Sequence, residues 1–155
     1  MSEFDKLFDE NLIFVDVEAK DRESLFEKVA ESLLDQGYVK ESYLKALNKR
    51  EDEFPTGVLT ENLAIALPHA NPENVNKPFI AIVKCKDLIH VEQMGIGEDE
   101  ETKDFFFLGI VKETQDLQVK LLQRFMQLMN DEKFVSEYKK LNNSRDIYEY
   151  FLKKF

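Results

Sequence analysis

The feature that most constrains the fold of this chain is one apolar run in its second half. Residues 105–111 are all apolar or glycine, and the first three of them are phenylalanines. A run of this length without polar alternation indicates a strand that is buried on both of its faces. Such a strand needs a covering layer on each side, and the flanking segments have helical patterns. The run therefore predicts an α/β fold in which helices sandwich a mixed central β-sheet.

The rest of the chain supplies the other elements of such a fold. Asp21 is a suitable N-cap for a helix that ends at Gly37, and a second helix begins at Glu41 and ends near Glu51. Residues 95–103 are acidic and contain glycine, which is typical of a solvated loop. β-Branched and apolar runs predict the other strands, and apolar residues at helical spacing predict the later helices. The strands cover residues 12–17, 63–67, 79–85 and 89–91, and the helices cover residues 117–129, 134–141 and 144–155.

Length and charge limit the domain count and the partners. The 155 residues are 43% hydrophobic, which is enough for one core, so we expect residues 1–155 to form a single domain. The formal net charge of -10 argues against nucleic acid and against an anionic membrane surface as partners, because both require clustered Lys and Arg. A local cationic patch that meets a phosphoryl group is still compatible with this charge.

Cysteine content and hydropathy indicate the compartment. The single cysteine, Cys85, cannot form an internal disulfide, and it lies in a predicted strand. The first residues mix acids with apolar side chains and do not resemble a signal peptide, and no run of about 18 apolar residues occurs anywhere. We therefore expect a cytoplasmic protein without a spanning helix.

His69 is the residue that most suggests chemistry. It follows an apolar strand and Pro68, at a strand end where functional groups gather in α/β folds, and we expect its ring to be accessible. An imidazole is nucleophilic near neutral pH and is also a good leaving group, as a phosphoryl carrier requires. The position alone is equally compatible with an ordinary turn residue.

Three short motifs around His69, taken together, resemble those of a known family. Residues 50–51 read Arg-Glu, residues 55–57 read Pro-Thr-Gly, and residues 64–69 read Ala-Ile-Ala-Leu-Pro-His. This combination resembles the mannitol/fructose class of IIA components of the sugar phosphotransferase system. Within that class, residues 118–124 (Gln-Val-Lys-Leu-Leu-Gln-Arg) are more similar to the galactitol type than to the mannitol type.

The resemblance implies a relay of phosphoryl groups between proteins. The phosphorylated carrier protein HPr would donate to His69, and a cysteine of a IIB component would then accept the group. Sugar would be phosphorylated later, during transport by the IIC and IIB parts, so this chain would meet the membrane only through partners. The resemblance also implies that Nε2 of the imidazole bears the phosphoryl group while a backbone carbonyl holds Nδ1–H.

Arg50 and Thr56 are the candidate helpers. Arg50 matches the arginine of the family motif, and a guanidinium suits the charge on phosphoryl oxygens, although a cation at a helix end is also common on ordinary surfaces. Thr56 could donate a hydrogen bond to a phosphate oxygen, or it could simply shape the turn. We therefore expect His69, Arg50 and Thr56 to lie close together.

The other histidine of the better-known mannitol and fructose members is missing here. Their second histidine stands at the start of the helix after the central strand, where this chain has Gln118. An amide can orient or donate a hydrogen bond, but it cannot carry charge or move a proton. His90, between Ile89 and Val91, is more typical of a structural or surface histidine than of a substitute.

Other kinds of chemistry have little support in the sequence. The acids at 98–101 lack the spacing of a calcium loop, the two histidines and one cysteine have no zinc spacing, and no glycine-rich nucleotide loop is present. We therefore expect no metal and no cofactor. Two alternatives stay open: a IIA-like regulatory module that signals its phosphorylation state, and a binding domain without phosphoryl chemistry. The sequence does not identify the sugar.

Overall fold

A five-stranded mixed sheet runs through residues 3–155, the part of the chain that the computed structural model describes. Its strands are β1 (Ile13–Val17), β2 (Gly57–Leu59), β3 (Ala64–Ala66), β4 (Phe79–Glu92) and β5 (Asp99–Gly109). In space they follow the order β1-β4-β5-β3-β2. β1 is parallel to β4 and β3 is parallel to β5, whereas the pairs β4/β5 and β2/β3 are antiparallel. β5 is thus the central strand, as the apolar run predicts.

Within the same residues, five α-helices cover the two faces of the sheet. In chain order they are α1 (Arg22–Asp35), α2 (Tyr43–Glu53), α3 (Asp116–Met129), α4 (Glu132–Lys140) and α5 (Ser144–Lys154). Phe105 and Phe107 of β5 belong to a core cluster with α1 and α2, while Phe106 and Leu108 belong to a second cluster with α3, α4 and α5. Successive strand residues point to opposite faces, so one strand supplies both cores. The predicted single-domain α/β fold is confirmed.

Local signals explain where the first two helices begin and end. The Asp21 carboxylate accepts a hydrogen bond from the Ser24 amide at 2.8 Å, which completes the predicted N-cap. Gly37 follows α1 with a φ of 84°, a left-handed conformation that glycine adopts without strain. α2 continues to Glu53, two residues beyond the predicted end, and Pro55 follows soon after.

The hairpin formed by β4 and β5 is longer than the sequence predicts. Residues 89–91 are not a separate extended piece, because β4 continues through them, and residues 99–103 belong to β5 rather than to a loop. Ile89 pairs with Thr102, and Val91 pairs with Glu100. Glu100 and Thr102 are buried while their neighbours in sequence are exposed. The strand periodicity is present, but polar residues occupy its inward positions, so hydrophobic patterning misses it.

The topology places the candidate residues at one edge of the sheet. His69 follows β3 and forms a bridge to Leu108, the last-but-one residue of β5. Arg50 lies in the last turn of α2 and Gln118 in the first turn of α3, so helices from both layers reach the same edge. None of the helices in residues 3–155 combines the length and the apolar character that crossing a membrane would require.

Candidate active site

The backbone that precedes His69 fixes one nitrogen of its ring. The Leu108 amide donates to the Pro68 carbonyl at 2.9 Å, which holds the chain against the central strand. Nδ1 of His69 then lies 2.8 Å from the carbonyl oxygen of Leu67. A carbonyl can only accept, so Nδ1 is the protonated nitrogen and Nε2 keeps its lone pair. This is the contact that the family resemblance implies.

Gln118 occupies the other nitrogen of the same ring. Its amide Nε2 lies 3.1 Å from Nε2 of His69, which makes the amide the donor and the ring nitrogen the acceptor. The imidazole is thereby enclosed between a backbone carbonyl and a side-chain amide. His69 is only 7% exposed, so the expectation of an accessible ring is wrong in this state of the protein.

Arg50 is held by neutral groups. Its Nη1 donates to the side-chain oxygen of Asn71 at 3.2 Å, and its guanidinium lies over the Phe54 ring at 5.3 Å from the centroid. Asn71 is in the loop that follows His69, so this contact ties the end of α2 to the histidine segment. Within residues 3–155, no carboxylate forms an ion pair with this guanidinium, whose contacts are an amide oxygen and an aromatic face.

The surroundings of His69 favour its uncharged form. Burial lowers the pKa of the imidazole below its ordinary value of 6.5, and the nearby charge of Arg50 lowers it further, while the hydrogen bond to Leu67 opposes both. The ring is consequently neutral at physiological pH. A neutral ring with its proton on Nδ1 presents an available nucleophile at Nε2.

Thr56 is buried, and its partner in the structure is Glu51. It is 2% exposed; its hydroxyl lies 2.8 Å and its amide 2.9 Å from the carboxylate of Glu51, and both donate to it. Glu51 is also 2% exposed, and sequence reasoning does not single it out as a functional residue. The signal available in the sequence is its position, directly after Arg50 and five residues before Thr56.

The structure does not bring His90 to this site. It is an exposed residue of the β4–β5 hairpin, where its Nε2 lies 2.7 Å from a carboxylate oxygen of Asp99. Among residues 3–155, no three His, Cys, Asp or Glu side chains are grouped as a metal site would require. The structure thus brings His69, Arg50 and Gln118 together as the candidate site, and the backbone of Leu67 links Thr56 to it.

Comparison with solved structures defines the class of fold. The complex of enzyme IIAMTL and phosphorylated enzyme IIBMTL from Escherichia coli contains a similar fold, with a TM-score of 0.73 and 18% identity over 95% of this chain and 98% of that one. The fold is thus that of the IIA components of the sugar phosphotransferase system. The identity is low, so this likeness concerns the fold alone.

Sequence comparison then defines the family. Residues 6–154 match the family described as phosphoenolpyruvate-dependent sugar phosphotransferase system, EIIA 2, and the chain belongs to it. It is accordingly a phosphocarrier component of a sugar phosphotransferase system. The galactitol-specific EIIA component of Escherichia coli K12 is 28% identical over 103 residues, which are 66% of this chain and 67% of that protein. A fructose-specific EIIABC component of Mycoplasma pneumoniae is 28% identical over 120 residues, but these cover 76% of this chain and only 16% of that protein.

Proposed function

We propose that this chain accepts a phosphoryl group from phosphorylated HPr on Nε2 of His69 and passes it to a cysteine of a IIB component. The observation that carries the proposal is the contact between Nδ1 of His69 and the Leu67 carbonyl, from which the tautomer of the ring is inferred. Nδ1 is held 2.8 Å from the Leu67 carbonyl, so the lone pair of the neutral ring lies on Nε2. Family membership supports the same role.

The uptake step needs no proton transfer at the reacting nitrogen. The Nε2 lone pair of His69 attacks phosphorus, the P–N bond to the donor histidine breaks, and its electron pair returns to the donor ring. The phosphorylated ring of His69 keeps its proton on Nδ1 and spreads the positive charge that develops, which strengthens the hydrogen bond to Leu67. In the second step the IIB thiolate attacks phosphorus, and the electron pair of the P–N bond returns to Nε2.

Arg50 is the proposed stabiliser of the phosphoryl oxygens. In-line phosphoryl transfer asks the protein mainly for positioning and for compensation of charge on the equatorial oxygens. The guanidinium of Arg50 has neutral partners in Asn71 and Phe54, so its charge is available to the incoming group. A bidentate contact with two phosphoryl oxygens would use its remaining N–H donors.

Gln118 is the proposed neutral donor. Its amide covers the lone pair of Nε2 in the resting state, so it has to move aside before phosphorus can approach. After that movement the same N–H group can donate to a phosphoryl oxygen. Its neutral amide cannot exchange protons with the ring, which leaves a mechanism with a single histidine.

The proposed docking face surrounds these residues. Phe54, which packs on Arg50, is 59% exposed, and Val119, which follows Gln118, is 60% exposed. Exposed apolar side chains beside a reactive group are typical of a transient protein interface. One imidazole cannot engage two active sites at once, so HPr and IIB would use this face in turn, through interfaces of modest size.

The wider setting follows from the same proposal. We place residues 1–155 as one IIA domain in the cytoplasm, where HPr and IIB would meet it, with the membrane reached only through IIC. The galactitol-specific relative makes a polyol the favoured transported compound. The chain itself would not contact that compound, because it handles only the phosphoryl group.

A reconstituted relay tests this function. The purified chain is incubated with phosphoenolpyruvate, enzyme I and HPr, and intact mass is measured before and after addition of the IIB component of the same system. We expect one phosphoryl adduct that needs HPr and that disappears when IIB is added. A IIB variant with its acceptor cysteine replaced by serine is the matched control and should leave the adduct in place.

Each other outcome separates the alternatives. An adduct that forms but persists with active IIB would contradict the relay and favour a regulatory module. Absence of any adduct, with HPr shown to be phosphorylated in the same tube, would contradict phosphoryl chemistry altogether and favour a binding domain.

A further inference from the structure

Glu51 is a buried carboxylate that the mechanism above does not use. It is 2% exposed and lies in α2 immediately after Arg50. Burial raises the pKa of its carboxyl, and the two hydrogen bonds from Thr56 oppose that rise. An apolar side chain of similar size is often as stabilising at such a position as a buried charge, or more so. Stability alone therefore gives a poor account of Glu51.

A continuous series of hydrogen bonds begins at Thr56, the partner of Glu51. The amide of Thr56 donates to Oε2 of Glu51 at 2.9 Å, and its hydroxyl donates to Oε1 at 2.8 Å. The carbonyl of Thr56 then accepts from the amide of Leu67 at 3.2 Å. The carbonyl of Leu67 in turn accepts from Nδ1 of His69 at 2.8 Å. The series thus runs without a break from the end of α2 to the catalytic ring.

We infer that Glu51, acting through Thr56 and Leu67, is a positioning residue that fixes the tautomer and the orientation of His69. Holding Thr56 by both of its donors fixes where its carbonyl lies, and this in turn fixes the Leu67 carbonyl. Displacement of the Leu67 carbonyl would remove the acceptor that keeps the proton on Nδ1. The proton would then also populate Nε2, where it blocks attack on phosphorus.

The contact between Glu51 and Thr56 also fixes the position of Arg50 relative to His69. Arg50 and Glu51 are adjacent in the last turns of α2, so anchoring the Glu51 side chain to Thr56 also sets the position of the guanidinium relative to the ring. Effective transfer needs both groups within a few tenths of an ångström of their places. The hydrogen bonds from Glu51 to His69 therefore set the position of Arg50, the proposed charge stabiliser, relative to the nucleophilic ring of His69.

This inference gives Thr56 a different contribution from direct contact with phosphate. Its hydroxyl has one hydrogen, which is directed to Glu51, and the residue is buried from solvent. A hydroxyl used in this way cannot donate to a phosphoryl oxygen at the same time. Thr56 acts on the ring through its own carbonyl and Leu67.

The test uses four variants of the full chain and two readouts. Glu51→Met and Thr56→Val remove the acceptors and the hydroxyl donor respectively, while Thr56→Ser retains the donor. Thr102→Val is the matched control, because Thr102 is also 2% exposed and its hydroxyl donates to a backbone carbonyl, that of Ala64, away from the ring. The first readout is the 15N NMR spectrum of the His69 ring, assigned with a His90→Gln chain. The second is the rate of phosphoryl uptake from HPr.

In the unmodified chain we expect a protonated Nδ1 and an unprotonated Nε2. Glu51→Met and Thr56→Val should give a mixture of the two tautomers and slow uptake by about tenfold or more, which corresponds to about 1.4 kcal/mol of transition-state stabilisation. Thr56→Ser should recover most of the rate that Thr56→Val loses. Thr102→Val should keep the tautomer and stay within about twofold in rate, even where it lowers the melting temperature.

Two results would overturn the inference. One is a pure Nδ1–H ring with an unchanged rate in both Glu51→Met and Thr56→Val. The other is an equal loss in Thr56→Val and Thr102→Val that follows their loss of stability. The consequence for rate rests on the proposed function, but the tautomer readout does not. If the unmodified chain took no phosphoryl group, the proposed function would fail while the NMR spectra would still decide the role of Glu51.

Discussion

The two histidines of this chain show how neighbours decide what an imidazole can do. His69 is buried between a backbone carbonyl and the Gln118 amide, with the cation Arg50 nearby. His90 is exposed on a hairpin, and its Nε2 faces a carboxylate oxygen of Asp99 at 2.7 Å. The residue type is the same, but neutral groups contact the ring of His69 whereas a carboxylate contacts the ring of His90.

The difference concerns how each surrounding would receive a phosphoryl group. The carboxylate beside His90 would repel an incoming phosphoryl group, because both are negatively charged. The neutral amide and carbonyl around His69 leave Nε2 unprotonated, and in the proposed transfer Arg50 attracts the negative phosphoryl oxygens. The comparison teaches that a phosphoryl carrier needs a neutral ring in a locally positive setting, even in a chain with a net charge of -10.

The largest expected effect comes from exchanging each histidine for glutamine. His69→Gln should abolish phosphoryl uptake from HPr, because no other group supplies the nucleophile. His90→Gln should take up the group at a rate within about twofold of the unmodified chain, because its ring lies outside the site. Radiolabel transfer from phosphoenolpyruvate measures both. Phosphoryl uptake by the His69→Gln chain would contradict the assignment of different roles to the two histidines.

The second-largest effect is expected when a substitution removes the positive charge beside His69. Arg50→Gln should slow uptake by about 10²- to 10³-fold, which is typical for loss of one main electrostatic stabiliser of a transition state. Lys49→Gln is the matched control, because Lys49 is an exposed cation on the same helix. Stopped-flow or quench-flow uptake rates check this expectation. Equal uptake rates in Arg50→Gln and Lys49→Gln would show that the net charge of the chain, rather than the position of the Arg50 guanidinium, determines the rate.

A smaller effect is expected at the amide that covers Nε2. Gln118→Leu should slow uptake by about tenfold, because one hydrogen bond to the phosphoryl group is lost. Gln118→Glu should be slower still, because it gives His69 the carboxylate neighbour that His90 has. Gln123→Leu, an exposed position on the same helix, is the control. A Gln118→Glu chain faster than Gln118→Leu would contradict this account of the electrostatics.

The smallest effect concerns stability and pH. The pKa of His69 in the folded chain lies below its ordinary value of 6.5, so below pH 6.5 the unfolded chain binds a proton that the folded chain does not yet bind. His69 therefore makes the folded chain less stable as pH falls from 6.5 toward the lowered pKa. Urea unfolding of the unmodified and His69→Gln chains should show their difference in unfolding free energy changing in this window. A difference that is independent of pH would argue against a lowered pKa.

Much of the fold follows from the sequence because its apolar residues report burial directly. The run at 105–111 predicts the central strand, and the Asp21 and Gly37 signals predict the limits of α1. The β4–β5 hairpin is underestimated because Glu100 and Thr102 fill inward positions that normally hold apolar side chains. Residues 89–92 pair with residues 99–102 through the backbone, and hydrophobic patterning does not show such pairing.

The candidate site is likewise only partly visible in the sequence. His69 and Arg50 are visible in the sequence because their motifs resemble a family, and the place of Gln118 follows from the same resemblance. The burial of His69 is not visible, because it arises where Gln118 of α3 reaches the ring from a distant part of the chain. The Glu51–Thr56 contact is close in sequence, but it depends on the path of the chain between α2 and β2, which the residue types do not show. Residues that act through other residues leave no distinct pattern of their own.

The central claim, that Nε2 of His69 is the phosphoryl carrier, is tested most directly by 15N NMR of the phosphorylated chain with labelled histidine. The account predicts one phosphorylated ring, assigned to His69, with phosphorus on Nε2 and a retained proton on Nδ1. The carbonyl of Leu67, 2.8 Å from Nδ1 in the resting chain, is the reason for that pattern. A phosphoryl group on Nδ1 of His69, or on either nitrogen of His90, would contradict it.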